Sequence, residues 1–123
     1  MNKTGALKLL ATIKLAYPSA YANLSSDYYE NVVNLWNDIF SDIDEDVAAL
    51  ALKRYIKKNN PFPPAPGEIY HESKHIQERF RIHHSKIDWI AEDIKPLYIK
   101  RKAAEGINIR LDDYGNILQI EEK

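Results

Sequence analysis

The chain has no cysteine, which excludes a disulfide framework and a thiolate metal site. Its four glycines, Gly5, Gly67, Gly106 and Gly115, lie too far apart to build G-x-x-x-x-G-K-[ST] or G-x-G-x-x-G. Nucleotide binding on a glycine-rich phosphate loop is therefore not expected. No apolar run approaches the length that spans a bilayer. The N-terminal stretch is amphipathic and lacks a signal-peptide h-region, so no membrane partner and a cytoplasmic location are expected. A surplus of one charge is missing too: 17 Lys and Arg stand against 18 Asp and Glu, a formal net charge of −1. Proteins that coat nucleic acid neutralise phosphates with surplus cations. Direct nucleic-acid binding is thus expected to be weak or absent, although a local basic patch stays open. Serines and carboxylates are scattered with no arrangement that pairs a nucleophile with a base, so the chain does not read as an enzyme.

What is present is helical. The 123 residues fit one domain of ordinary size. Ala6, Leu7, Leu10, Ile13 and Tyr17 recur at three- and four-residue steps, predicting a first helix over Thr4 to Ala16 that Tyr17-Pro18 ends. Asp27 with Glu30 three residues on resembles a capping box. From there Tyr29, Val32, Val33, Trp36, Ile39 and Phe40 make the face of a central helix. Asp42, Asp44, Glu45 and Asp46 suit the N-terminus of a third helix, whose stripe is Val47, Leu50, Ala51 and Tyr55. Lys53, Arg54, Lys57 and Lys58 suit its carbonyl pole. Leu10, Ile13, Trp36, Phe40, Leu50 and Phe62 are the expected core of this three-helix head, residues 1–62.

Asn60-Pro61-Phe62-Pro63-Pro64-Ala65-Pro66-Gly67 holds four of the six prolines. Proline lacks a backbone donor and fixes φ, so this run must stop the third helix. Residues 63–67 form the connector, and Pro66 can open a new helix. Ala16-Tyr17-Pro18, Trp36, Phe62-Pro63-Pro64 and Glu68-Ile69 together resemble the phage replicative-helicase loader/inhibitor proteins, from phages of Gram-positive hosts. The resemblance covers roughly residues 5 to 75, and Ala65-Pro66-Gly67 departs from it. It implies a non-enzymatic adaptor in the bacterial host cell. Such an adaptor binds a hexameric DnaB-type replicative helicase, holds it inactive in solution and helps load it at a phage origin. A phage origin-binding or single-strand-binding protein would be a further partner. A helical phage protein that inhibits another host replication protein is the alternative within the same class.

Beyond the connector, Ile69, Ser73, Ile76, Phe80, His83, Ile87, Ile90, Ile94 and Leu97 alternate at steps of four and three, close to a heptad seam. This predicts one long amphipathic helix over 68–105, kinked or split near Pro96. Such a face exceeds what a small head can cover, so part of it would fold back or meet another helix. Gly106 is a natural residue to follow the helix. Ile107, Ile109 and Leu111 then alternate with polar residues, Asp112-Asp113-Tyr114-Gly115-Asn116 is turn chemistry, and Ile117 to Ile120 is again apolar, predicting a β-hairpin over 106–123. The fold class is therefore mainly α with a small C-terminal hairpin. The expected partner-binding anchors are Phe80, Trp89, Tyr98, Ile107, Ile109, Tyr114, Ile117 and Ile120, since interface energy concentrates in a few large apolar groups.

His71-Glu72-Ser73-Lys74-His75 is a literal H-E-x-x-H. In zinc peptidases the two histidines hold the metal and the glutamate is the general base. A hydrolase using His71, His75 and Glu72 is therefore the alternative outside the adaptor class. Against it stand the cation Lys74 inside the motif, its place in the first turns after a proline run, and the shortness of the chain. No cofactor is expected.

Overall fold

A computed structural model describes residues 1–122. It is mainly helical with a C-terminal two-stranded hairpin. The chain forms two compact units, residues 1–75 and 76–123, and the boundary falls within the fourth helix.

The first unit contains α1 (Lys3–Ala16), α2 (Ser26–Ile39), α3 (Glu45–Lys57) and most of α4 (Pro66–Arg79). Short polar caps set the starts. The Asn2 side chain accepts the Gly5 N–H at 3.0 Å, and Ser25 Oγ accepts the Tyr28 N–H at 3.2 Å. The cap of α2 is thus Ser25 and not Asp27, which falls inside the first turn. Its negative charge there still complements the dipole. α1 packs against α2 and α3. Its inward stripe is Gly5, Ala6, Leu9, Leu10 and Ile13, while Leu7 is exposed. Trp36 and Phe40 are fully buried and stacked, with ring centroids 5.3 Å apart. On α3 the buried residues are Val47, Ala48, Ala51 and Leu52. Leu50, one position off that stripe, is half-buried rather than core.

α3 stops at Lys57, and Asn59 adopts a left-handed conformation with φ 58°, which asparagine tolerates better than most residues. The chain then runs extended through the prolines until Pro66 opens α4. This corner is held by its backbone: Tyr17 Oη donates to the Asn60 carbonyl at 2.9 Å and Tyr55 Oη to the Phe62 carbonyl at 2.8 Å. With its carbonyl so fixed, the Phe62 side chain points to solvent, 74% exposed. The expected core placement of Phe62 is therefore corrected, and Pro64 is the buried residue of the run.

The second unit departs from the single long helix. α4 ends at Arg79, a 3-10 helix spans His84–Trp89, and α5 spans Lys95–Ala104. The breaks lie at 80–83 and 90–94, not at a kink near Pro96. Pro96 instead occupies the first turn of α5, where its missing donor costs nothing and its ring meets no preceding helical turn. At the first break His83 is extended, and its ring Nδ1 accepts the Ser85 N–H at 3.2 Å, a local cap that competes with helix continuation. The Ile82 carbonyl, left without a helical donor, accepts the Tyr98 hydroxyl.

Gly106, with φ 91°, turns the chain out of α5 into β1 (Ile107–Leu111). β1 packs on α5 and pairs antiparallel with β2 (Ile117–Glu122). Ile109 lies opposite Ile120, and an irregularity at Arg110/Leu111 brings Leu111 opposite Ile117. In the turn, Asp112 Oδ1 accepts the N–H groups of Tyr114 and Asn116, both at 2.9 Å. No described helix is long and apolar enough to cross a membrane.

Candidate interaction surface

The H-E-x-x-H residues lie in the middle of α4, in the first unit, and are engaged in holding that helix. Glu72 Oε1 accepts Arg54 Nη1 at 2.8 Å, with both side chains largely covered. Lys74 Nζ lies 2.7 Å from Asp42 Oδ2, which also accepts the Tyr70 hydroxyl at 3.0 Å. Lys74 and Tyr70 together hold the Asp42 carboxyl below its usual range, and Asp42 in turn raises the Lys74 ammonium. His71 and His75 are exposed. Among the described residues, no group of three His, Cys, Asp or Glu side chains is placed to hold a metal ion. A general base must be free to take a proton, and here the glutamate is tied to a guanidinium. The residues present do not fit a zinc peptidase centre, and the spacing serves the attachment of α4 to α3 and to the turn after α2.

The expected anchors fall into three groups. Phe80, Tyr98 and Ile109 are buried. They fill the core of the second unit, so as free-standing anchors they are corrected. Burial pushes the Tyr98 hydroxyl up from its ordinary pKa, which keeps it protonated as the donor to Ile82. Ile107 and Ile120 are half-buried. Trp89, Tyr114 and Ile117 are exposed, at 72%, 91% and 36% respectively. Leu118, 66% exposed, joins them. It was not among the expected anchors, and its signal was available in the run Ile117-Leu118-Gln119-Ile120, which has more apolar residues than one strand face can bury. Tyr114, Ile117 and Leu118 thus leave large apolar groups in solvent at the turn and first residues of β2. Such groups cost little when a partner covers them, and burial is favourable at roughly 25 cal/mol per Å² of apolar area.

The rear half hides more of itself than the seam implied. Ile69, Ser73, Ile76, Phe80, Ile87, Ile90 and Ile94 are all buried, and Ser73 Oγ donates to the Ile69 carbonyl at 2.8 Å. His83 alone among the inner seam positions is exposed, where the helix is broken. The unpartnered apolar surface is therefore local, on the hairpin and at Trp89, and does not run the length of a helix.

Comparison with known proteins gives one family: the model for the N-terminal domain of a phage helicase loader/inhibitor matches residues 1–70. Those residues carry the Tyr17 corner, the Trp36–Phe40 stack and the proline run, and they lie within the first compact unit. No curated protein and no solved structure matches the chain. With more than half of its length matched, the chain belongs to the family of phage helicase loader/inhibitors.

Proposed function

We propose that this protein is a non-enzymatic adaptor of phage DNA replication in the bacterial cytoplasm. It binds a hexameric DnaB-type replicative helicase, keeps it inactive in solution and helps place it at a phage origin. The observation that carries this reading is the family match over residues 1–70. The side chains fit a binding role: the one catalytic-looking motif is engaged in tertiary ion pairs, and several large apolar groups of the hairpin stand in solvent. To inhibit and later release a helicase, the adaptor must prefer one state of the ring over the translocating state. Release then follows when an origin-binding or single-strand-binding protein competes for the same surface.

The contact surface in this reading is Tyr114, Ile117 and Leu118, with half-buried Ile107 and Ile120 supporting it. The decisive assay mixes purified protein with a DnaB-type hexamer and measures complex formation and helicase ATPase rate. A complex at micromolar concentration with a suppressed rate supports the reading, and no complex ends it. Removing residues 107–123 should weaken binding while residues 1–75 stay folded by circular dichroism. Full affinity after that deletion would put the contact on the first unit.

A further inference from the structure

The chain-wide charge balance conceals a local imbalance. Residues 79–87, Arg-Phe-Arg-Ile-His-His-Ser-Lys-Ile, contain three cations and two histidines and no carboxylate. Arg79, Arg81 and Lys86 are all exposed. The fold adds two more cations from α5. The Arg101 guanidinium lies 4.7 Å from the centre of the Phe80 ring. Lys102 Nζ lies 5.3 Å from the ring of Tyr98, whose hydroxyl bonds the Ile82 carbonyl. Two carboxylates temper the cluster: Glu105, 3.4 Å from Lys102, and Glu122, 3.1 Å from His84 Nε2. At the edge of this basic region stands Trp89, 72% exposed, with Lys86 Nζ 4.6 Å from its ring centre.

An exposed indole beside several cations matches one ligand chemistry in particular. Unpaired bases offer flat π-faces for an aromatic ring, and their backbone offers phosphates at regular spacing for cations. A duplex hides its bases and would use only the charges. We propose that Trp89 and the cations Arg79, Arg81, Lys86, Arg101 and Lys102 form a contact for single-stranded nucleic acid, with a base stacked on Trp89 and phosphates along the 79–86 segment. The contact covers few nucleotides and is weak and salt-sensitive, in keeping with the neutral chain as a whole.

The two tryptophans make the test direct, because Trp36 is 1% exposed and Trp89 72%. Intrinsic fluorescence of the full-length protein is titrated with a dT oligomer of about fifteen nucleotides, long enough for one site of this class, across a series of salt concentrations. The expected result is quenching whose association constant falls with salt. Its log–log slope should be about −2 to −3, the value for three or four phosphates on a single strand. In Trp89→Ala, binding read by anisotropy of a labelled oligomer should weaken about tenfold. The double variant Arg81→Gln/Lys86→Gln should lower both affinity and slope. Lys53→Gln/Lys57→Gln on α3 should change neither. Circular dichroism checks that each variant is folded. Absence of salt-dependent quenching at low salt overturns the proposal, as does equal weakening by the α3 variant. Equal quenching by a poly-glutamate peptide also overturns it, and would make the patch a site for an acidic protein segment.

Discussion

The two units solve the same problem with different parts. Residues 1–75 bury apolar stripes on helices of 13 and 14 residues, with polar side chains or acidic first turns at their starts. Residues 76–123 bury theirs on the end of α4, a six-residue 3-10 helix, a ten-residue helix and a hairpin. Pieces this short are marginal alone, so the second unit depends more on tertiary contacts such as the Tyr98–Ile82 hydrogen bond and the packing of β1 on α5. The difference teaches that a seam of apolar residues specifies which side chains face inward without specifying that the backbone between them is continuous. Seven of its nine positions are buried, yet they sit on three helical pieces.

The sharpest way to break the comparison is Trp36→Ala. Loss of this fully buried ring and its stack on Phe40 should destabilise the first unit by about 3–5 kcal/mol. A thermal melt followed by far-UV circular dichroism checks it. An unchanged melt would show that the stack is not the centre of that unit.

The same contrast explains what could be read from the chain. Trp36, Phe40, Leu10 and Ile13 were legible because a helix of constant period carries its own signal and its neighbours only complete it. Pro66 at a helix start and Gly106 after α5 were legible because backbone chemistry restricts those positions whatever surrounds them. Phe62 was not, because its direction follows from two tyrosine hydroxyls, Tyr17 and Tyr55, that reach the corner from distant helices. Nor was the break at 80–83, since the competing cap from His83 and the hydroxyl of Tyr98, sixteen residues from Ile82, leave no trace in periodicity. For the candidate surface, Trp89, Tyr114 and Ile117 were visible as large apolar groups. Phe80, Tyr98 and Ile109 looked the same in sequence and went inside. Exposure is decided by packing, which residue type alone does not contain.

The second unit is best probed at Tyr98. Tyr98→Phe keeps the ring and removes the donor to Ile82, which should cost about 1 kcal/mol. Fluorescence of Trp89, which lies in this unit, checks it during urea unfolding. If the variant matches wild type, that hydrogen bond does not contribute to holding the broken segment. A smaller effect tests α4 in the first unit: Glu72→Gln weakens the pair with Arg54 and should cost up to about 1 kcal/mol. His71→Ala and His75→Ala should leave stability unchanged, because both side chains are exposed. Stoichiometric zinc by elemental analysis, lost in His75→Ala, would contradict the structural role given to this motif.

The smallest expected effect concerns Asp42, and its sign follows from linkage. Lys74 and Tyr70 lower the folded-state pKa of Asp42 below its ordinary value of 3.8. Asp42 therefore contributes stability that is fully present above that ordinary value and is lost as pH falls through the lowered one. Lys74 is raised above 10.5, so its share is complete below that pH and fades only as pH rises through the raised value. Between the two limits the contribution is flat. Asp42→Asn should therefore lower the melting temperature slightly and equally at pH 6 and pH 8. The difference should shrink in high salt, because both side chains of the pair are about half exposed and mobile ions screen them. It should also narrow at acid pH as the wild-type carboxylate takes up its proton. A difference that keeps its size in 1 M salt and through the acid range would mean that Asp42 fastens α4 by shape and hydrogen bonding to Tyr70, with its charge making no contribution.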